Sequence, residues 1–252
     1  MCYFNTALFL DERNIGMEKI KMQERYARHL MLREIGEEGQ RKILNSNVLL
    51  VGVGGLGSPI ALYLTSAGIG RLGLIDDDVV SFSNLQRQVL YGESEIGQLK
   101  VKCACRRLQA LNSQIQIDTY SCRLSKENAE SILSRYDVIV DGTDNFQTRY
   151  LLSDVSARLG IPYVYGAIRE FEGQVSVFNM PNGRTYRDLY PNESELCSMS
   201  RPSLGVMGVL PGIVGCVEAS ETIKVITQCG ELLSGKLWTI DLLTMQSSII
   251  SF

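Results

Sequence analysis

The stretch LLVGVGGLGSPIALYLTSAGIGRLGLIDDD, residues 49–78, reads as an apolar strand, a glycine-rich turn, a helix, a second strand and an acidic end. Gly52, Gly54, Gly55 and Gly57 write G-V-G-G-L-G between the strand and the helix. Without Cβ atoms the backbone turns tightly and approaches a phosphate, and the following helix N-terminus offers free N–H groups with a partial positive charge. Asp76, at the end of the next strand, is placed to accept hydrogen bonds from ribose hydroxyls. The pattern marks a nucleotide site, but NAD, FAD and ATP all carry a ribose and phosphates, and the glycines alone do not choose among them.

Outward from this stretch the alternation continues. Strand-like runs at 48–53, 71–76, 115–120, 137–142 and 162–167 are separated by helical stretches at 56–67, 98–111, 125–135 and 146–159. Such alternation predicts an α/β fold, a doubly wound, Rossmann-like and mainly parallel sheet covered on both faces. EGQVSVFN (172–179) follows too closely for a helical crossover and is expected to add antiparallel, as is a hairpin of GKLWTIDLL and MQSSIISF, giving antiparallel C-terminal strands. Between them lie a segment at about 180–205 rich in Pro, Asn, Ser, Glu and Arg, read as a long irregular, mobile loop, and a helix at 209–226. ERYARHLMLREI (24–35) has helical spacing with Tyr26, Leu30 and Ile35 on one side. Residues 1–21 read as a loose N-terminal extension, with Met17 or Met22 as possible starts, and 22–252 as one domain.

Charge narrows the function. Twenty-five basic against 28 acidic residues give a net charge of −3, which offers no bulk attraction to nucleic acid or anionic lipid, so any anion site is local. The apolar MCYFNTALFL is too short for a membrane span and lacks a basic start. The seven cysteines form no C-x-x-C pair and are expected to be reduced thiols in a cytoplasm. Cys103, Cys105 and Cys216 fall on helices, where packing is the expected role.

A hydride-transfer enzyme needs a proton donor or acceptor beside its substrate. The single histidine, His29, lies upstream in a charged helix and is expected to be solvated, and no Tyr-x-x-x-Lys pair occurs. A dehydrogenase is therefore disfavoured. Instead, the second strand leads into DDDVVSFSNLQRQVLYGESEIGQLKVK (76–102), with Asn84, Arg87, Gln88 and Lys100 in one excursion from the strand end where open α/β sheets bind ligands. Two cations there suit a triphosphate; each alone also reads as a surface cation, Arg87 in the polar NLQRQ less so than Lys100. Asp144, in TDNFQTR after the strand at 137–142, reads as either a helix cap in a capping box with Gln147 or a carboxylate that holds Mg²⁺ on ATP phosphates. With no Walker A sequence, the reaction that suits these groups is adenylate transfer, in which an ionised carboxylate attacks the α-phosphorus and needs no general base.

GVGGLGS (52–58), DDDVVSFSNLQRQ (76–88), GQLKV (97–101), DGTDN (141–145) and GVLPGIVG (208–215), with RYARHL (25–30) in front, resemble the ThiF/MoeB/HesA family. These bacterial relatives of ubiquitin-activating enzymes adenylate the C-terminal glycine of ubiquitin-like sulfur carriers. The resemblance implies ATP rather than NAD. It implies that Asp76 binds ribose, that Asn84, Arg87 and Lys100 bind the phosphates, and that Asp144 is the essential Mg²⁺-linked aspartate. Arg28 matches an arginine that family members insert into the partner subunit's site, which implies a homodimer. The closest likeness is to ThiF-type members, implying a ThiS-like carrier ending in Gly-Gly and thiamine thiazole synthesis. A MoaD-like carrier of molybdopterin synthesis and a non-catalytic nucleotide-binding scaffold are the alternatives. Cys197, in SELCSMS, matches a cysteine that can attack the activated carboxyl in ThiF-type members, and reads equally as an idle exposed thiol. Family members commonly carry a zinc site of two C-x-x-C pairs. Here Thr185 and Asp188 replace the first pair and no second pair follows the last strand, so no zinc is expected.

Overall fold

A computed structural model describes residues 23–199 and 205–252. The N-terminal extension expected at 1–21 and part of the segment near 200 lie outside the described residues. Eight strands form one sheet in the order β3-β2-β1-β4-β5-β6-β7-β8. Strands β1 (Asn47–Val51), β2 (Arg71–Ile75), β3 (Gln116–Tyr120), β4 (Val138–Asp141) and β5 (Tyr163–Arg169) pair in parallel. Strands β6 (Glu172–Phe178), β7 (Lys236–Asp241) and β8 (Gln246–Ser251) add antiparallel to them. The two-residue β5–β6 connection, Glu170 and Phe171, permits only that direction.

Alternate residues of β1 enter two different cores. Val48 and Leu50 pack with Ile60, Leu64, Val101, Val214 and other residues on one face of the sheet. Leu49 and Val51 pack with Leu133, Leu152 and Val155 on the other. A central parallel strand is covered twice, so its sequence is continuously apolar rather than alternating. Helices α3 (Gly57–Ala67), α4 (Lys100–Leu111) and α9 (Leu210–Thr227) supply the first face, and α5 (Ala129–Leu133) and α6 (Phe146–Leu159) the second.

Two elements differ from the sequence reading. The helix expected at 24–35 is broken: residues 23–25 are helical, Tyr26 is a turn, α1 spans Ala27–Leu30, and α2 runs from Gly36 to Leu44 after further turns. Gly36, the first residue of α2, is left-handed at φ 53°, a conformation that favours glycine. The segment anchors through Tyr26, 3 % exposed, which packs where a side chain at Gly68 would sit and accepts a hydrogen bond from Asn112 at 3.1 Å. His29 is not simply solvated, since its Nδ1 lies 2.8 Å from Gln40 Oε1. The second correction concerns 180–199, which carries helices α7 (Tyr186–Leu189) and α8 (Glu193–Ser198) rather than irregular chain. Tyr186 is buried against Tyr150, Tyr165 and Phe178, and Arg187 pairs with Asp154 and Glu193 at 2.7 Å. These contacts hold the segment that carries Thr185 and Asp188.

Candidate nucleotide site

Strand order reverses between β1 and β4, and at such a switch point the connections diverge and leave a crevice above the strand ends. A cavity of about 1390 Å³ opens there. The glycines at its floor divide by task. A Cβ on Gly57 would sit 2.1 Å from the Gly52 carbonyl oxygen, and one on Gly142 would sit 2.2 Å from the same atom. Gly52 itself has φ 86° and faces Gly142. Three glycines thus let the loop, the first turn of α3 and the end of β4 cross in contact. A Cβ on Gly54, by contrast, would meet nothing closer than Gln88 Nε2 at 3.4 Å. Gly52, Gly54 and Gly55 line the cavity; Gly57 does not, and its missing side chain serves packing rather than ligand approach.

Asp76 fixes the loop from the side. Its carboxylate accepts Val53 N–H at 2.8 Å and Asp78 N–H at 2.9 Å. Burial raises its pKa above the usual carboxylate range, opposed by Lys100 and the two backbone donors. Tyr91 holds the other side, donating to the Val53 carbonyl at 2.6 Å. The excursion closes on itself by a bridge between Val79 and Leu99, which sets Lys100 beside Asp78 with Nζ 2.9 Å from the carboxylate. Lys100 is 5 % exposed and lines the cavity, so the surface-cation reading fails for it. Arg87 is half-buried, donates to the Ser83 carbonyl at 3.2 Å and lies over Gly55. Asn84 and Gln88 complete this wall. Gln88 is 5 % exposed, and its Oε1 has no hydrogen-bond partner among the described residues.

Asp144 lies across the cavity, exposed, at the C-terminal end of β4. It is not the helix cap: Asn145 is, accepting Thr148 N–H at 2.9 Å. The capping reading of Asp144 therefore moves to its neighbour. Beyond Asp144 the cavity continues over β5 to β8, lined by Tyr165, Ala167, Gln174, Thr239 and Ser248. Sequence reasoning missed that half, and it missed buried Arg149, which lines the cavity where the two halves meet. Strand alternation in EGQVSVFN could have identified Gln174 as a polar residue facing away from Val175 and Val177.

Arg28 is exposed on α1 and is not among the residues lining this chain's own cavity. Cys197 is half-buried on α8 and also outside the lining, although Met199 two residues on is within it. Gln147 donates to the Cys197 carbonyl at 3.0 Å. Burial pushes the Cys103, Cys105 and Cys216 thiols up, which makes them poor nucleophiles. Thr185 and Asp188 form a capping box, with Asp188 accepting Thr185 N–H at 2.7 Å and its hydroxyl at 2.9 Å. These bonds hold the Asp188 carboxyl below its ordinary range. A hydroxyl and a carboxylate committed to a cap do not fit a thiolate zinc site.

The family model described as ThiF family matches residues 26–252. The chain belongs to the ThiF family. It is 44% identical over 226 residues to the sulfur carrier protein adenylyltransferase of Thermus thermophilus, covering 87% of this chain and 83% of that one. It is 44% identical over 227 residues to adenylyltransferase and sulfurtransferase MOCS3-1 of Zea mays, covering 90% of this chain and 48% of that one. The chain thus spans about half the length of the curated plant relatives it matches. The crystal structure of E. coli MccB with MccA-N7isoASN superposes with a TM-score of 0.79 at 20% identity, covering 91% of this chain and 71% of that one, a likeness of fold. Among the described residues no helix is long and apolar enough to cross a membrane.

Proposed function

We propose that this chain is an ATP-dependent adenylyltransferase that activates the C-terminal glycine carboxylate of a ubiquitin-like sulfur carrier. The observation that carries this reading is that one continuous cavity of about 1390 Å³ has two unlike halves. That exceeds the ~300–1,000 Å³ of ordinary ligand pockets. One half has a glycine loop at a helix N-terminus, the cations Arg87 and Lys100, and the carboxylates Asp76, Asp77, Asp78 and Asp144. The other is an open, largely polar sheet face suited to an extended polypeptide end.

In the proposed reaction the carrier's carboxylate oxygen forms a bond to the α-phosphorus of Mg·ATP, the bond from that phosphorus to the bridging oxygen breaks, and pyrophosphate leaves. A carboxylate is ionised at neutral pH, so no proton must be removed. That agrees with a cavity lined by no histidine. Gly54 and Gly55 bring backbone N–H groups to the phosphates, Asp76 takes the ribose, and Asn84, Arg87, Gln88 and Lys100 hold the triphosphate. Asp144 positions the Mg²⁺ of the substrate. Catalysis then rests on in-line placement and on neutralising charge that builds on the phosphates. Lys100 exchanges Asp78 for phosphate oxygens on binding, a small loss because Asp78 is exposed and returns to water.

Arg28 acts in trans from a second copy, so the working unit is a homodimer. Cys197 acts only after adenylation, if the acyl group is passed to sulfur. The carrier is ThiS-like. The test is the intact mass of a ThiS-like and, in parallel, a MoaD-like carrier, each ending in Gly-Gly, after incubation with this protein and Mg·ATP. A gain of one AMP on the ThiS-like carrier is expected, and preference for the MoaD-like carrier would reassign the pathway. Tight binding of either carrier without AMP would favour a scaffold, and an Asp144→Ala protein with full turnover would remove the catalytic assignment.

A further inference from the structure

Asp144 is the exposed carboxylate that the proposed function sets on Mg·ATP, yet the residues that fix its backbone lie beneath it in the core. Thr143, immediately before it, is held at three atoms. Its N–H and its hydroxyl donate to Asp141 Oδ1 at 2.8 and 2.6 Å, and its carbonyl accepts Arg149 Nη2 at 2.9 Å. Asn145, immediately after it, is the N-cap of α6. The backbone of Asp144 is therefore fixed on both sides.

The clamp is itself over-determined. Asp141 is 0% exposed and accepts Tyr163 hydroxyl at 2.6 Å through its second oxygen. Arg149 is 7% exposed, 3.6 Å from Asp141, and reaches the Gly166 carbonyl at 3.5 Å. Its guanidinium lies 5.4 Å from the Tyr165 ring centre and 5.7 Å from that of Phe146. Glu218, on α9 against Gly166, is also 0% exposed, and neither of its oxygens has a partner among the described residues. Burial and the neighbouring Asp141 raise the Glu218 pKa, and burial raises that of Asp141 too, opposed there by Arg149, Thr143 and Tyr163. A bare fold requirement would be met by an apolar residue at 149, since isolating a buried arginine costs several kcal/mol unless it is paired and hydrogen-bonded. Here the pair grips the one residue that precedes Asp144.

We propose that Arg149, with Asp141, is a positioning residue that acts through the Thr143 backbone to hold Asp144 where Mg·ATP is bound. This rests on the Mg²⁺ role given to Asp144 above. Partners behind a metal-binding carboxylate are commonly worth ~10–100-fold in metal affinity or activity. An ammonium cannot reproduce the guanidinium's simultaneous grip on Thr143, Gly166 and Asp141.

The experiment compares Arg149→Lys, Thr143→Val and Thr143→Ser with the parent protein. Thermal unfolding gives the folded fraction. Calorimetric titration of Mg²⁺ into the protein with ATP, without any carrier, gives the metal's apparent affinity, and carrier-dependent exchange of labelled pyrophosphate into ATP gives kcat and KM. In folded Arg149→Lys, Mg²⁺ affinity and kcat should fall about 10- to 100-fold with the KM for carrier changed less than threefold. Thr143→Val should move the same quantities in the same direction and Thr143→Ser should restore them. A folded Arg149→Lys with Mg²⁺ affinity and kcat within twofold of the parent overturns the proposal. If that variant does not fold, Thr143→Val decides, and an unchanged Mg²⁺ affinity in it overturns the proposal too. Asp144→Ala run alongside separates the two readings: full turnover there removes the Mg²⁺ role itself, whereas a dead Asp144→Ala beside an unaffected Arg149→Lys removes only the clamp.

Discussion

Alanine at Gly54 and at Gly57 should separate ligand approach from packing within one loop. At Gly54 the added Cβ meets only Gln88, at 3.4 Å, and the backbone is not left-handed. Stability should change by less than about 1 kcal/mol, because lost flexibility of the unfolded chain offsets a mild contact. The methyl enters the cavity where the backbone would approach the phosphates, so ATP should bind at least tenfold more weakly, about 1.4 kcal/mol. At Gly57 the Cβ falls 2.1 Å from the Gly52 carbonyl oxygen, and Gly52 cannot retreat because Gly142 lies behind it. A backbone-to-backbone overlap of this size should cost about 3–5 kcal/mol, or ~6–20 °C in Tm at ~2–4 °C per kcal/mol for a chain of this length. Thermal unfolding with and without Mg·ATP reads both effects. ATP at 100 times the parent Kd should stabilise the parent by ~2.7 kcal/mol and Gly54→Ala by no more than ~1.4 kcal/mol. A Gly54→Ala protein stabilised as much as the parent, or a Gly57→Ala protein with an unchanged Tm, would refute this division.

Glu218→Gln should change the pH dependence of stability. Burial raises the native pKa of Glu218 well above 4.5, so above that pH the folded state holds a proton that the unfolded state releases, and stability falls as pH rises by up to ~1.4 kcal/mol per unit. The glutamine variant lacks this slope, and its Tm advantage should grow upward from pH 4.5; parallel Tm curves would contradict the assignment. Lys100→Ala should lower kcat/KM by about 10²–10³ with Tm shifted only a few degrees, and a loss confined to stability would argue against a phosphate contact. Mixing inactive Lys100→Ala with inactive Arg28→Ala protein should recover about a quarter of parental activity in a dimer with shared sites, while no recovery would place Arg28 outside the partner's site. Asp188→Ala should cost ~1 kcal/mol through the lost cap, and a zinc chelator should leave the Tm of the parent unchanged; a drop in Tm on chelation would restore a structural metal.

The α/β architecture was legible because its signals are local. Apolar runs, glycine turns and helical spacing recur within windows of about ten residues, and strands β1 to β5 lie where these signals place them. Irregularities were less legible: α2 starts at a left-handed Gly36, and α7 and α8 are held by tyrosines and ion pairs from distant segments. Among the candidate residues, the sequence alone put Asp76, Asn84, Arg87, Lys100 and Asp144 at strand ends, since strand direction fixes which end they occupy. Whether each was buried, and what each touched, depended on packing. The structure buried Lys100, passed the cap from Asp144 to Asn145, and assigned Gly57 to a backbone crossing. It also brought Asp141, Arg149 and Glu218, up to 77 residues apart, into one buried cluster. Patterning by period and turn chemistry thus determined the layers and the end at which the site lies, whereas burial, hydrogen-bond partners and the second half of the cavity were decided by contacts distant in sequence, which no local pattern encodes.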